Sequence, residues 1–320
     1  MIPENYEDLF SPEGDINIRN LAKLITTIEN NPSLAEYRLS KIYRENKYCK
    51  IIGITGPPGA GKSSLTDGII SKFRAEGKKV AVIAVDPSSP FTGGAILGDR
   101  IRMSTHSTDP NVFIRSMGSR GSLGGLAPAS VHILNLLKSV GFDVVIIETV
   151  GVGQSEVDVM SVADTVLLVL VPGLGDDIQA LKAGIMEIAD IFVINKSDKD
   201  GKEKLIAEIN MILHLNMHRM DWVPPIVETV ATEMKGLDEL KNKIEERHVF
   251  VESNFDKIRK EKLTAQFLHI IQEKVGTRIM SLLKEHNIIE NWSSEILSGK
   301  KNPYQAITEL DEKLSIIWDK

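Results

Sequence analysis

An eight-residue segment at positions 56–63, Gly-Pro-Pro-Gly-Ala-Gly-Lys-Ser, limits the possible folds of this chain more than any other feature. It matches the pattern G-x-x-x-x-G-K-[ST] at every required position. The apolar run 51–54 before it is typical of a buried strand, and the segment 64–70 after it is compatible with a helix. In such a unit, small residues let backbone N–H groups surround phosphate oxygens, and the helix N-terminus adds partial positive charge. We therefore predict a phosphate-binding loop in which Lys62 contacts the terminal phosphates and Ser63 offers its hydroxyl to Mg²⁺.

Strands and helices alternate along the chain from residue 50 to about residue 245. Most of the candidate strands are continuous apolar runs, which are typical of strands covered by helices on both faces. These candidates are 50–54, 80–85, 112–115, 144–147, 165–171, 191–194 and 226–230. The predicted fold class is α/β, with a mostly parallel central sheet, helices on both faces, and helical extensions at the N-terminus and the C-terminus.

The N-terminal segment has the periodicity of a helix. Ile18, Leu21, Ile25 and Ile28 recur at three- and four-residue steps, which places them on one helical face. We expect Asp15 to cap the start of this helix. We interpret the N-terminal helices as packing elements, with an oligomer contact as the alternative.

The C-terminal segment is also helical in pattern, with an apolar stripe between residues 263 and 283. Because this stretch is longer than a usual globular helix, we expect it either to break near Gly276 or to project from the core. The predicted organisation is a helical extension at 1–49, a nucleotide-binding domain at 50–250 and a helical region at 251–320.

The composition excludes several classes of protein. The net charge of −6 argues against a general nucleic-acid groove, which needs clustered lysine and arginine. The single cysteine, Cys49, excludes an intrachain disulfide and a zinc site built from several cysteines. The acidic N-terminus has no apolar signal core, and the longest apolar runs are too short to span a bilayer. We expect a cytoplasmic protein that binds neither nucleic acid nor a membrane.

A second motif, Asn195-Lys196-Ser197-Asp198, indicates which base the nucleotide carries. It follows the apolar run 191–194 and matches the N-K-x-D pattern of guanine-binding proteins. The Asp198 carboxylate can accept hydrogen bonds from the guanine ring N–H and exocyclic amine, and adenine lacks both donors on that edge. We expect Asn195 to hold neighbouring loops and the Lys196 stem to lie across the base.

A third loop, Val230-Ala231-Thr232, follows the last predicted strand. In GTPases this position often has Ser-Ala-Lys or Ser-Ala-Leu. The Ala231 N–H remains available to meet the guanine oxygen, whereas the missing serine removes a side-chain support.

Carboxylates at the ends of predicted strands are the candidates for a magnesium site. Mg²⁺ needs hard oxygen ligands, and Ser63 supplies one. Glu148 ends the fourth predicted strand, at the position where an acidic residue usually holds the Mg²⁺ shell. Asp86 and Asp99 are the other candidates, and either of them is also suited to orient the attacking water.

Three loops are predicted to surround the terminal phosphate, namely 87–103, 149–155 and 172–179. Such loops can be ordered by the γ-phosphate and Mg²⁺ and relax after hydrolysis, so we interpret them as switches. A further Gly- and Ser-rich segment at 115–126 is either a partner surface or a loop near the phosphates. Its Arg120 is a candidate arginine for catalysis in cis.

Taken together, these motifs closely resemble the MeaB/ArgK/MMAA family of P-loop GTPases. The segments that carry the resemblance are 56–64, 86–90, 92–100, 148–156 and 195–198. The likeness covers nearly the whole chain, including Asn302-Pro303-Tyr304 near the C-terminus. The long segments 92–100 and 148–156 are far more specific than the phosphate loop.

The resemblance implies a GTPase chaperone of adenosylcobalamin-dependent acyl-CoA mutases, above all methylmalonyl-CoA mutase. Such a chaperone gates cofactor delivery and helps to release damaged cofactor. The resemblance also implies a homodimer built largely through terminal helices, which makes 251–320 the expected dimerisation region. By the same resemblance, the magnesium ligands of this chain are Ser63, Asp86, Asp99 and Glu148. The loop 177–182 is then the candidate for relaying the nucleotide state to the mutase.

The motifs and the resemblance together predict three sets of site residues. The catalytic set is Lys62, Asp86, Asp99 and Glu148. The nucleotide-binding set is Gly56, Pro57, Pro58, Gly59, Ala60, Gly61, Lys62, Ser63, Ser64, Asn195, Lys196, Asp198, Val230, Ala231 and Thr232. The switch and partner set is Gln154, Asp177, Gln179 and Lys182.

We interpret the chain as a Mg²⁺-dependent GTPase whose output is a conformational signal. Because no certain arginine finger is visible, we predict slow intrinsic hydrolysis that the partner mutase accelerates. The alternatives are a nickel-insertion GTPase, which typically has a His-rich tail or clustered Cys and His, an ATP-dependent kinase, and a non-enzymatic module that only holds nucleotide.

Overall fold

The computed structural model describes residues 3–44, 49–86, 104–106, 108–118, 128–149, 162–173, 189–216, 220–285 and 287–318. The chain divides into two compact units, Met1–Gln266 and Phe267–Lys320. The motifs singled out in the sequence all belong to the first unit, apart from the C-terminal Asn302-Pro303-Tyr304.

A seven-stranded sheet forms the centre of the first unit, and every neighbouring pair of strands is parallel. The strands are β1 (Lys50–Thr55), β2 (Val80–Asp86), β3 (Val112–Gly118), β4 (Val144–Thr149), β5 (Thr165–Leu170), β6 (Ile191–Asn195) and β7 (Ile226–Thr229). Their order across the sheet is β3-β2-β4-β1-β5-β6-β7. The predicted parallel α/β fold and its seven strands are therefore confirmed.

Nine α-helices and three short 3₁₀ helices lie within the described residues. The α-helices are α1 (Ile18–Asn30), α2 (Pro32–Ile42), α3 (Lys62–Ala75), α4 (Pro128–Ser139), α5 (Lys202–Asn216), α6 (Leu237–Ser253), α7 (Phe255–Glu285), α8 (Ile288–Leu297) and α9 (Pro303–Trp318). The 3₁₀ helices are Glu7–Leu9, Ser104–His106 and Ala231–Glu233.

Alternate residues of the central strands enter two separate apolar clusters. Leu167 and Val169 of β5 pack with α3 and α6 on one side, around the fully buried Phe73. Leu168 and Leu170 of the same strand pack with α5 on the other. Because successive strand side chains point to opposite faces, this alternation shows that β5 is covered on both sides. Strands held in this way position the loops at their carboxyl ends.

Carboxylates at the amino ends of the strands help to hold the sheet in register. Asp164 accepts a hydrogen bond from the Ile51 N–H at 3.1 Å, and Asp190 accepts one from the Val166 N–H at 2.8 Å. Asp190 is also paired with Arg247 of α6 at 2.8 Å. Burial raises the pKa of Asp190, although the nearby guanidinium opposes that effect. These contacts lie at the edge of the sheet opposite the phosphate loop.

The N-terminal helices pack against α4 of the first unit. In α1, Leu21, Leu24, Ile25 and Ile28 are buried, as expected of packing elements. The predicted cap at Asp15 is wrong, because the side chain of Asn17 accepts the hydrogen bond from the Asn20 N–H at 3.1 Å. The cap residue must stand directly before the first helical turn, and Asp15 lies too far upstream.

Helix α7 continues through Gly276 without a break, so the first of the two expected alternatives, a break near that glycine, is wrong. One glycine costs only about 1 kcal/mol relative to alanine in a helix interior, too little to end a helix of 31 residues. In the second unit, several large apolar side chains are exposed, namely Phe267, Leu268, Ile271, Met280, Leu297, Tyr304 and Ile307. Among the described helices, none is long and apolar enough to cross a membrane.

Candidate nucleotide-binding site

The segment between β1 and α3 forms a loop at the carboxyl end of the sheet. Gly56 has a φ of +140°, and a Cβ at that position would lie 2.1 Å from the carbonyl oxygen of Val169 in β5. Gly61 has a φ of +85°, and its Cβ would lie 2.4 Å from the amide nitrogen of Asn195. Both positions therefore require glycine, for backbone conformation and for space.

Lys62 is the first residue of α3, and its side chain is almost completely buried. Its ammonium donates hydrogen bonds to the carbonyl oxygens of Gly56 at 2.7 Å and Pro57 at 3.0 Å. The charge is thus held beside the first turn of α3, whose unpaired N–H groups favour anions. This arrangement suits the binding of a phosphate group.

Two oxygen-bearing side chains beside the loop suit a magnesium ion. Glu148 of β4 is 1% exposed, and its strand register pairs it with Ile54 of β1. Its carboxylate accepts a hydrogen bond from the Ser63 hydroxyl at 2.6 Å. Mg²⁺ is usually bound by one or two protein oxygen groups together with waters and phosphates, so this pair fits its preferences.

The described residues contain no group of three or more His, Cys, Asp or Glu side chains arranged to hold a metal by themselves. That result is compatible with a Mg²⁺ ion whose remaining ligands are phosphate oxygens and waters. Asp86 is the last residue of β2, and its side chain lies outside the described part of the structure. Asp99 lies outside the described residues altogether.

Asn195, the last residue of β6, connects three loops at this edge of the sheet. Its amide nitrogen donates to the carbonyl oxygen of Ala60 at 2.8 Å. Its amide oxygen accepts hydrogen bonds from the Thr229 hydroxyl at 3.2 Å and from the Ala231 N–H at 3.1 Å. The phosphate loop and the two loops expected to bind the base are therefore joined through one buried side chain.

The rest of the expected base pocket lies around Asn195. Lys196 has a φ of +55°, and its ammonium donates to the carbonyl oxygen of Gly59 at 2.8 Å, which lays the side chain over the phosphate loop. Asp198 is exposed, and its charge contributes to the raised pKa of Lys235, whose main cause is a hydrogen bond with Glu233. The Ala231 N–H, which the sequence assigns to the guanine oxygen, is here donated to Asn195.

Two polar residues of the site were not identified from the sequence. The Thr66 hydroxyl donates a hydrogen bond to the Glu148 carboxylate at 2.7 Å. The Thr229 hydroxyl donates one to the Asn195 amide oxygen at 3.2 Å. Thr66 lies three residues after Ser63, a spacing that places both on one face of α3, and that spacing was the available signal. No comparable signal exists for Thr229, because its partner belongs to another strand.

Several predicted residues lie outside the described part of the chain. They are Asp99, Arg120, Gln154, Asp177, Gln179 and Lys182. Their roles therefore stay predictions from the sequence.

The family model for "Methylmalonyl Co-A mutase-associated GTPase MeaB" matches residues 21–284 of this chain. The chain belongs to the MeaB family. It is a P-loop GTPase, and membership of the family implies that it binds guanine nucleotide. The match includes both the phosphate loop and the Asn195–Asp198 motif.

Individual relatives agree with membership of the MeaB family. A protein from Pyrococcus horikoshii is 49% identical over 301 residues, which cover 92% of this chain and 94% of that protein. The Caenorhabditis elegans protein named methylmalonic aciduria type A homolog, mitochondrial, is 36% identical over 261 residues, covering 79% of this chain and 65% of that protein. A crystal structure titled LAO/AO transport system kinase has a TM-score of 0.66 and 26% identity, covering 93% of this chain and 94% of that one.

Proposed function

We propose that this MeaB-family GTPase requires Mg²⁺ and acts as a switch and chaperone for an adenosylcobalamin-dependent acyl-CoA mutase, such as methylmalonyl-CoA mutase. It gates cofactor loading and protects or reactivates the mutase. The observation that carries this proposal is the family match over 21–284, whose description names association with that mutase. The contact between Ser63 and Glu148 supports the Mg²⁺ requirement.

The reaction is attack of water on the γ-phosphorus of GTP, with cleavage of the bond to the bridging oxygen of GDP. The water's proton passes to the phosphate that is released. Lys62 and the N-terminal N–H groups of α3 hold the phosphates in place and favour the negative charge on their oxygens. Ser63 and Glu148 hold the metal, which when bound neutralises phosphate charge.

The output of hydrolysis is a change in the loops that follow β2, β4 and β5. We assign Asp86 and Asp99 to the metal shell or to the attacking water. We assign to the switch loops, and to contact with the mutase, the residues Gln154, Asp177, Gln179 and Lys182. Their positions in segments that follow strand ends of the sheet support this assignment, since ligands of such sheets bind at the carboxyl ends.

We also propose a homodimer formed largely through 251–320. The support is a set of large apolar side chains exposed in the second unit, including Phe267 at 64%, Leu297 at 89% and Tyr304 at 83%. Exposed apolar patches mark protein interaction sites in soluble proteins, and these side chains are the basis of the proposed dimer contact.

Replacing Asp198 by asparagine tests recognition of guanine. The carboxylate accepts from the guanine ring N–H and amine, whereas the asparagine amide offers one acceptor and one donor. We expect GTP affinity to fall by about 100-fold or more. Xanthosine triphosphate, which has a carbonyl in place of the amine, should gain affinity.

Competition against a fluorescent guanine nucleotide measures both affinities. Asp200→Asn is the matched control, since Asp200 is an exposed carboxylate in the same segment, and it should leave both values unchanged. Wild-type preference for ATP, or an Asp198→Asn protein that still prefers GTP to the same degree, contradicts the assignment.

Adding a purified adenosylcobalamin-dependent mutase tests the coupling. Because no catalytic arginine is identified in the described residues, we expect slow hydrolysis by the GTPase alone and acceleration of about 10-fold or more by the mutase. Phosphate release with and without equimolar mutase is the measurement. Equal rates under both conditions, together with no co-elution in gel filtration with a non-hydrolysable GTP analogue, would refute the mutase role.

A further inference from the structure

We propose that Thr66 is a positioning residue that orients the Glu148 carboxylate for the divalent cation. The inference deepens the proposed function and rests on its Mg²⁺ requirement. Thr66 acts through Glu148 and does not itself bind the metal.

The contacts of Thr66 single out the carboxylate as its partner. The side chain is completely buried, and its hydroxyl oxygen lies 2.7 Å from Glu148 Oε2 and 3.0 Å from the Lys62 carbonyl oxygen. A hydroxyl has a single proton to donate. Hydrogen bonds to an ionised acceptor are shorter and about twice as strong as neutral ones, so the proton belongs on the bond to Glu148.

The two hydroxyl groups of α3 hold the two oxygens of one carboxylate. Ser63 donates to Oε1 at 2.6 Å, and Thr66 donates to Oε2 at 2.7 Å. Residues three apart lie on the same face of a helix, so both hydroxyls reach Glu148 from one side. With both oxygens engaged, rotation of the carboxylate about its last side-chain bond breaks at least one of these bonds.

The backbone beneath this carboxylate is also held. Glu148 lies between β1 and β2 in the sheet, in register with Ile54 and Ala84. Strand pairing fixes the position of the Glu148 backbone. The hydrogen bonds from Thr66 and Ser63 fix the orientation of its carboxylate. Removal of the Thr66 hydroxyl therefore takes away the donor to Glu148 Oε2 and leaves the Ser63 donor to Oε1 in place.

The test replaces Thr66 by valine, which keeps the shape of the side chain and removes the hydroxyl. The Mg²⁺ concentration that half-maximally slows dissociation of fluorescent GDP is measured for the full-length protein. Loss of a group that hydrogen-bonds to a metal ligand typically weakens metal affinity by about 10- to 100-fold. We therefore expect the Mg²⁺ midpoint to rise by about 10-fold. GDP dissociation in EDTA should stay at the wild-type rate, because the Thr66 hydroxyl is bonded to Glu148 and the Lys62 carbonyl and acts here only through the metal.

Three further variants separate positioning from packing. Thr66→Ser keeps the hydroxyl and should restore the wild-type Mg²⁺ midpoint, and Thr66→Ala should raise the midpoint like Thr66→Val. Thr27→Val removes a hydroxyl that bonds to a carbonyl in α1 at 3.0 Å and should leave the midpoint unchanged. If Thr66→Val does not fold, as judged by circular dichroism, the Thr66→Ala and Thr66→Ser pair decides the question.

A wild-type Mg²⁺ midpoint in both Thr66→Val and Thr66→Ala would overturn the role of Thr66. An equal rise in the Mg²⁺ midpoint in Thr66→Ser, which keeps the hydroxyl, would also overturn this role. In both cases the Mg²⁺ requirement of the wild-type protein would still stand. If Mg²⁺ affects neither GDP dissociation nor GTP hydrolysis in the wild-type protein, the proposed Mg²⁺ requirement and this inference fail together.

Discussion

Replacing Lys62 by alanine is expected to lower the rate constant of GTP hydrolysis by about 100- to 1,000-fold, the usual cost of removing one preorganised charge-stabilising donor. Lys62 is 6% exposed, and its ammonium lies within 3.0 Å of two loop carbonyl oxygens, so its charge is poorly screened by water. Single-turnover phosphate release at saturating GTP and Mg²⁺ measures the effect.

Lys72→Ala is the matched control for this prediction. Lys72 lies on the same helix, α3, but its partner Asp238 has a side chain that is 82% exposed. Exposed ion pairs contribute only about 0–1 kcal/mol, so Lys72→Ala should hydrolyse GTP at the wild-type rate. A Lys62→Ala protein that keeps most of the wild-type rate would show that the ammonium does not act on the reacting phosphate.

Replacing Asn195 by alanine is expected to weaken binding of GDP and GTP by about 100-fold and to destabilise the first unit by about 2–4 kcal/mol. The side chain is 2% exposed and makes three hydrogen bonds, to Ala60, Thr229 and Ala231. Its loss leaves buried groups without these partners and disconnects the phosphate loop from the base loops. Urea unfolding and fluorescent GDP binding measure the two effects.

An exposed asparagine provides the control. Asn210 lies on α5 and is exposed, so Asn210→Ala should change neither stability nor nucleotide affinity. Binding is measured at a temperature where the Asn195→Ala protein is fully folded, so that unfolding does not imitate weak binding. An Asn195→Ala protein with wild-type nucleotide affinity would mean that the three loops keep their arrangement without this side chain.

The strands were predictable because their signals are local. Most of the seven are apolar runs, and the structure extends most of them by only one to three residues, as at β3, predicted for 112–115 and observed as Val112–Gly118. The extra residues include Ser116, whose polar side chain interrupts the apolar pattern of the strand. The order of the strands was not predictable in the same way, because it depends on contacts between segments far apart in the chain.

The two wrong predictions about helices, the cap of α1 and the break in α7, each have a local physical cause. Asp15 and Asn17 are both good capping residues, and only the backbone geometry at the start of α1 decides between them. Gly276 lowers helix propensity, but a single unfavourable residue does not outweigh the many favourable ones in α7.

By itself the sequence determined the phosphate loop, the guanine motif and the α/β pattern, because each is a short pattern of residue types with one main structural solution. The tertiary structure decided which side chains meet at that loop. Glu148 reaches Thr66 across a separation of 82 residues, and Asn195 reaches Ala60 across 135. Such pairs form only when parallel strands bring their carboxyl ends to one edge, and no local pattern encodes that placement.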